Sequence, residues 1–183
     1  MMPARTSREL VQLLSDIEQR SVARLSALPE QEDARHYWEG LIFALGEMRL
    51  VAPLNEVAEI LHFPAEITRV PGTYPWVKGV ANVRGSLLPI IDLQLFLGEK
   101  PVIPDRRCRV LIIRHKKIFS GLLVKEVMGM RHFSREGKMD YAPLDSGLFE
   151  QFVKTTFEYA GDLYPVFSMF ALADSSEFQM AAS

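Results

Sequence analysis

The chain has 183 residues, 48% hydrophobic and 24% charged, which gives it apolar material for a sizeable core and places it among ordinary globular proteins. A net charge of -2 and a pI near 6.1 count against nucleic acid as the main partner, because phosphate binding needs a basic surplus. The single cysteine, Cys108, excludes an internal disulfide and suits a reducing cytoplasm; no apolar run reaches the roughly 20 residues of a membrane helix, and the polar start MMPARTSREL is no secretory signal.

In chain order, the first predicted element is an amphipathic helix. Thr6 and Glu9 form a capping box, Leu10, Leu14, Ile17 and Leu25 fall near one face, and Pro29 stops it. Residues 1–38 are therefore expected to be a helix and linker, whose apolar face packs on the rest of the chain or serves as a partner-binding arm. From Gly40 the pattern changes to short β-rich runs broken by turn residues. Leu41 to Leu45 and Met48 to Pro53 flank Gly46-Glu47, a two-residue loop with glycine first, as a type II′ hairpin prefers. Val77 to Gly98 reads as strand, turn, strand and short helix. Gly79 and Gly85 mark tight bends or close approaches, Asp92 is the N-cap of Leu93 to Leu97, and Gly98 ends that turn. Arg109 to His115 and Ile118 to Val124 form a further hairpin through Lys116-Lys117, and Phe152 to Ala160 and Leu163 to Phe167 another through Gly161-Asp162. Residues 39–175 hold these elements, and residues 176–183 are expected to be a tail.

One segment recurs. Glu56-Val57-x-x-Ile60-x-His62-Phe63 returns 70 residues later as Glu126-Val127-x-x-Met130-x-His132-Phe133, each time shortly after a hairpin. A unit built twice points to two similar small barrels packed on each other. In the strand after Val57, alternation puts Ala58 and Ile60 on one face and Val57, Glu59 and Leu61 on the other. With Ile60 facing the core, Val57 and Glu59 face out; Asn82 and Arg84 likewise share one face of their strand.

No catalytic constellation assembles from these residues. His36, His62, His115 and His132 are scattered without metal-ligand spacing, and the glycines around Arg84 lack the lysine of a phosphate loop. Cys108 has no evident base, and Glu59, Asp92 and Glu126 are single carboxylates. No metal or cofactor is expected. The basic clusters at Arg106, Arg107 and Arg109, and at Arg114, Lys116 and Lys117, read as solvated strand ends.

The order Gly79, Asn82, Arg84, Gly85, Pro89, Asp92 and Leu93 resembles the central motif of CheW-type coupling proteins, which link bacterial chemoreceptors to a histidine kinase without catalysing a reaction. The resemblance spans Gly40 to Ala173. It implies an all-β fold of two SH3-like five-stranded β-barrels with short helices, and two partners: the regulatory domain of a CheA-type kinase, itself CheW-like, and the cytoplasmic tip of a methyl-accepting receptor. Neither nucleic acid nor direct membrane insertion is implied, and the protein would be cytoplasmic and recruited to receptor arrays. It further implies a receptor groove in which Glu59 lies near Arg84, with Val57 and Asn82 beside them, and whose other wall is Val127, Met130 and Gly121. Gly79, Gly85, Pro89 and Asp92 are its structural positions. Lys125 stands where an aspartate is common and Thr155 where a glycine is common. The helical arm and the run Trp76-Val-Lys-Gly-Val-Ala-Asn-Val-Arg-Gly look like the branch of the family that serves type IV pilus twitching motility. The alternatives are an adaptor of a flagellar array and a small β-barrel that binds nucleic acid.

Overall fold

The computed structural model describes residues 36–140 and 147–182, so the expected helix over the first 38 residues lies almost wholly outside the described residues. Among the described residues, eleven strands form two curled sheets. In chain order they are β1 (Tyr37–Leu45), β2 (Met48–Pro53), β3 (Glu59–His62), β4 (Val77–Val83), β5 (Ser86–Asp92), β6 (Arg109–His115), β7 (Ile118–Val124), β8 (Glu126–Ser134), β9 (Lys138–Asp140), β10 (Val153–Tyr159) and β11 (Asp162–Phe167). Short helices α1 (Leu93–Phe96), α2 (Met169–Asp174) and α3 (Ser176–Ala182) follow β5 and β11. One sheet runs β8-β1-β2-β11-β10-β9 and the other β3-β6-β7-β5-β4.

The repeat does not coincide with a sheet. The first half of the chain gives β1 and β2 to one sheet and β3, β4 and β5 to the other; the second half gives β6 and β7 to the latter and β8, β10 and β11 to the former. The pairings repeat residue for residue: Glu59 faces Ile112 where Gly129 faces Ile42, and Val80 faces Pro89 where Thr156 faces Pro165. Even the register shift after Val77 recurs after Val153. Each half therefore completes the other's sheet. The sixth strand, β9, pairs with β10 where the bridge Thr68 to Val80 closes the other sheet, so one sheet has six strands against the five expected.

Leu41, Phe43, Leu50, Ile91, Leu111, Ile113, Leu122 and Phe167, drawn from both sheets, share the main core with α1, α2 and α3. Two smaller cores lie apart from it, one around Leu88, Ile90 and Val110, the other around Ile42, Val51, Phe133 and Phe157. In the second of these, Gly40 makes room for Val51, whose Cγ2 would lie 2.3 Å from a Cβ at Gly40. In the first, Gly121 makes room for Val110, whose Cγ1 would lie 2.5 Å from a Cβ at Gly121. Val51 and Gly121 hold equivalent places, as do Gly40 and Val110, so each sheet accepts one branched side chain at this crossing and takes it from the opposite strand.

Two expectations change. The last hairpin turns at Ala160-Gly161, with φ of 54° and 85°, a type I′ geometry, and Asp162 already pairs with Tyr159 in β11. Where a tail was expected from residue 176, α3 occupies Ser176–Ala182, and Phe178 is fully buried against Phe96, so a large aromatic side chain leaves water and fixes the helix.

Candidate functional site

The β4-β5 hairpin sets the site. Arg84 and Gly85, at φ 51° and 84°, form its two-residue turn, so Arg84 sits in the turn and not on a face of the strand. A left-handed arginine costs about 1 kcal/mol, and Gly85 meets the second left-handed position without that penalty. The Asn82 carboxamide oxygen accepts the Gly85 N–H at 2.9 Å and so holds the turn. From there the Arg84 guanidinium reaches β3 and donates through its two terminal nitrogens to Glu59, at 2.6 and 3.2 Å. Arg84 is exposed and Glu59 half-buried. The paired fork fixes geometry more than it stabilises, since an exposed pair contributes about 0 to 1 kcal/mol.

Beneath this pair the motif residues are structural. Gly79, at φ 135°, lies against Thr68, where a Cβ would come within 2.3 Å of the carbonyl oxygen. Pro89 lies just before the parallel pairing of β5 with β7 begins at Ile90. Asp92 is fully buried. Its carboxylate accepts the Leu95 N–H at the start of α1 and the Val102 N–H, and pairs with Lys78 at 3.3 Å. The carboxylate thus ties helix, connector and neighbouring strand together.

The structure brings Val57, Glu59, Asn82, Arg84 and Gly85 into one region and distributes the expected second wall differently. Val57 and Val127 are both half-buried, each with one side in the main core, where exposed aliphatics were expected. Met130, on β8 of the other sheet, is 59% exposed. Gly121 is buried in the middle of β7 under Val110, Ile90 and Leu88, so it presents no surface to a partner. Ile60 also reverses: it is 40% exposed while Leu61 packs inward, because both are apolar and the β3 register with β6, not alternation alone, sets which one points in.

Lys125, one departure from the family pattern, donates to the Gly46 carbonyl and pairs with Glu47, tying down the β1-β2 turn. Thr155, the other, occupies the place in β10 that Gly79 holds in β4. The basic clusters have internal partners. Arg107 pairs with Asp105, Arg109 donates to the Arg106 and Cys108 carbonyls, Arg114 lies over the Phe119 ring, and Lys116 pairs with Asp174. The backbone N–H and guanidinium of Arg107 hold the Asp105 carboxyl below its ordinary range, while burial pushes the Cys108 thiol up. Among the described residues no group of three His, Cys, Asp or Glu could hold a metal, and no helix is long and apolar enough to cross a membrane.

Sequence reasoning passed over Glu56, Lys78 and Ser168. Ser168 caps α2 by accepting the Ala171 N–H at 3.1 Å, at the place where Asp92 caps α1, and Glu56 joins that cap. The signal available was a small polar residue at the end of a strand with an apolar run after it.

Two interlocked β sheets thus carry an exposed, geometrically fixed ion pair beside a half-buried valine. The chain belongs to the CheW-like family: the CheW-like domain matches residues 39–177. It is accordingly a non-enzymatic protein of that family. The chain is 42% identical over 167 residues to Protein PilI of Pseudomonas aeruginosa, covering 91% of this chain and 93% of that one. A stretch of 94 residues is 29% identical to chemotaxis protein CheA of Listeria innocua, covering 51% of this chain and 14% of CheA. The scaffolding protein TtCheW of Thermoanaerobacter tengcongensis has the same fold, with a TM-score of 0.66 at 20% identity over 77% of this chain and 95% of that one.

Proposed function

We propose that this protein couples a methyl-accepting receptor to a CheA-type histidine kinase in the chemosensory system that controls type IV pilus twitching motility. The observation that carries the reading is the similarity to PilI along nearly the full length of both chains. The similarity of part of the chain to CheA supports pairing between like folds as the kinase contact. In this reading Val57, Glu59, Asn82 and Arg84 form one wall of a receptor groove, and Val127 and Met130 the other. A receptor helix lays its apolar stripe against the valines while the Glu59–Arg84 pair sets its direction. The mechanism is geometric. Holding receptor and kinase in one array lets a receptor shift bias the active population of the kinase, and several modest tethered contacts gain from effective concentration. Recruitment to receptors then places the protein at the membrane through its partner.

Calorimetry with the kinase regulatory domain and with a receptor-tip fragment tests this. The protein binds both, and Arg84→Ala weakens the receptor arm about tenfold while moving the kinase arm less than about twofold. Folded protein that binds neither would sink the coupling reading.

A further inference from the structure

The Glu59–Arg84 pair fixes the far end of the β2-β3 connection, and Glu56 fixes its near end. Glu56 closes a single 3-10 turn, Leu54–Glu56, directly before Val57. Its carboxylate leaves its own half of the chain and accepts the Ser168 hydroxyl at 3.2 Å and the Phe170 N–H at 3.1 Å. Those are donors of the first turn of α2, where helix N–H groups lack intrahelical partners and a negative charge is favoured. The Ser168 oxygen in turn accepts the Ala171 N–H, so one carboxylate and one hydroxyl complete the cap together.

A tie of this kind positions something only when its other end is fixed, and α2 is fixed. Met169, Leu172 and Ala173 are buried in the main core. The Phe170 ring stacks on His115 at 4.2 Å between centroids, and Asp174 at the far end pairs with Lys116 and His115 at the β6-β7 turn. Two residues beyond Glu56, the Ala58 N–H donates to Ile112 of β6 at 2.8 Å. The three residues 56 to 58 are thus held from α2 on one side and from β6 on the other, and Val57 lies between the two anchors.

We infer that Glu56 is a positioning residue for receptor docking: by completing the α2 cap across the two halves of the chain, it fixes the backbone that presents Val57 and Glu59. This rests on the receptor reading of that surface and assigns Glu56 no contact with the receptor. The equivalent Glu126 does something else, lying 3.9 Å from Arg107, so the role belongs to one copy of the repeat.

The test compares Glu56→Ala, Glu56→Gln and Arg84→Ala in the full chain by amide hydrogen exchange and by calorimetry with the receptor-tip fragment. Glu56→Ala removes both acceptor oxygens. It raises exchange at Phe170, Val57 and Ala58 and weakens receptor-tip binding, each about tenfold, the scale of a lost charged hydrogen bond. Glu56→Gln keeps one acceptor oxygen and restores most of both, with kinase-domain binding unchanged throughout. If Glu56→Ala leaves exchange at Val57 and Ala58 and receptor-tip affinity as in wild type while Arg84→Ala weakens it, the positioning role falls and the groove stands. If wild-type protein does not bind the receptor tip, the groove reading itself falls, and the docking role of Glu56 with it.

Discussion

Both halves of the chain run hairpin, strand, hairpin, helix, yet they finish that helix by different means. In the first half the cap is Asp92, a fully buried carboxylate whose charge is met by Lys78 of its own half. In the second half the cap is Ser168, a neutral hydroxyl, and the carboxylate arrives from Glu56 in the other half. The backbone demand is the same at both places, because a helix start leaves N–H groups without partners. Where the answer is local, the half is self-contained at that point; where it is remote, the cap becomes a tie between halves. The valine and glycine exchange at the two sheet crossings has the same logic, since the volume to be filled is fixed while the strand that fills it is not.

Removing the local answer has the largest effect. Asp92→Ala leaves Lys78 and the Val102 N–H without their buried partner and destabilises the fold by about 3 kcal/mol or more in urea unfolding. Ser168→Ala, the same change in the other half, costs about 1 kcal/mol, because Glu56 still accepts from Phe170. Equal losses would break the comparison. Next comes the crossing: Gly121→Val overfills the space under Val110 and costs about 1 to 3 kcal/mol, and adding Val110→Gly recovers most of it by recreating the arrangement of Gly40 and Val51. A double variant no more stable than Gly121→Val alone would show that the crossings are not interchangeable.

Smaller effects sharpen the contrast between the two type I′ turns. Ala160→Gly relieves a left-handed alanine with no side-chain partner to lose, and stability in urea rises by about 0.5 kcal/mol net of the glycine's greater unfolded-state freedom. At Arg84 the same relief is offset by loss of the Glu59 pair, so Arg84→Gly gains nothing. The smallest effect is a pH dependence. Lys116 first, and His115 after it, hold the Asp174 carboxyl below its ordinary range, so its contribution is present above the unfolded carboxyl value and is lost as pH falls through the lowered folded value. Acid unfolding of Lys116→Ala compared with wild type checks this: the stability difference is present at neutral pH and shrinks as the medium becomes acidic enough to protonate Asp174.

Part of this comparison is legible in the sequence. The β1-β2 and β6-β7 hairpins fall where alternation and turn residues put them, and Asp92 caps α1 as its position before Leu93 predicts. The repeat is visible only as Glu56 to Phe63 against Glu126 to Phe133. Its other portion matches Val77, Gly85, Leu87 and Pro89 with Val153, Gly161, Leu163 and Pro165 at a spacing of 76 residues in place of 70. The longer stretch between β8 and β10 breaks the common spacing, and four isolated identities do not stand out in a chain without their pairing partners. Of the site, the residues that carry the family motif are legible. Burial at Gly121 and the facing of Ile60 are not, because a glycine in a strand carries no sign of which neighbour fills its space, and Ile60-Leu61 is apolar in both phases.

By itself the sequence determined local things: which runs extend, where the chain turns, which residue caps α1, and the family whose motif it carries. These depend on contacts within a few residues, and short-range propensity and side-chain chemistry suffice to set them. Only the tertiary structure decided that the two halves exchange strands, that Gly121 lies inside, and that Glu56 reaches across to α2. Those features join residues up to 114 positions apart, and which distant groups meet is set by how two sheets and three short helices share one core.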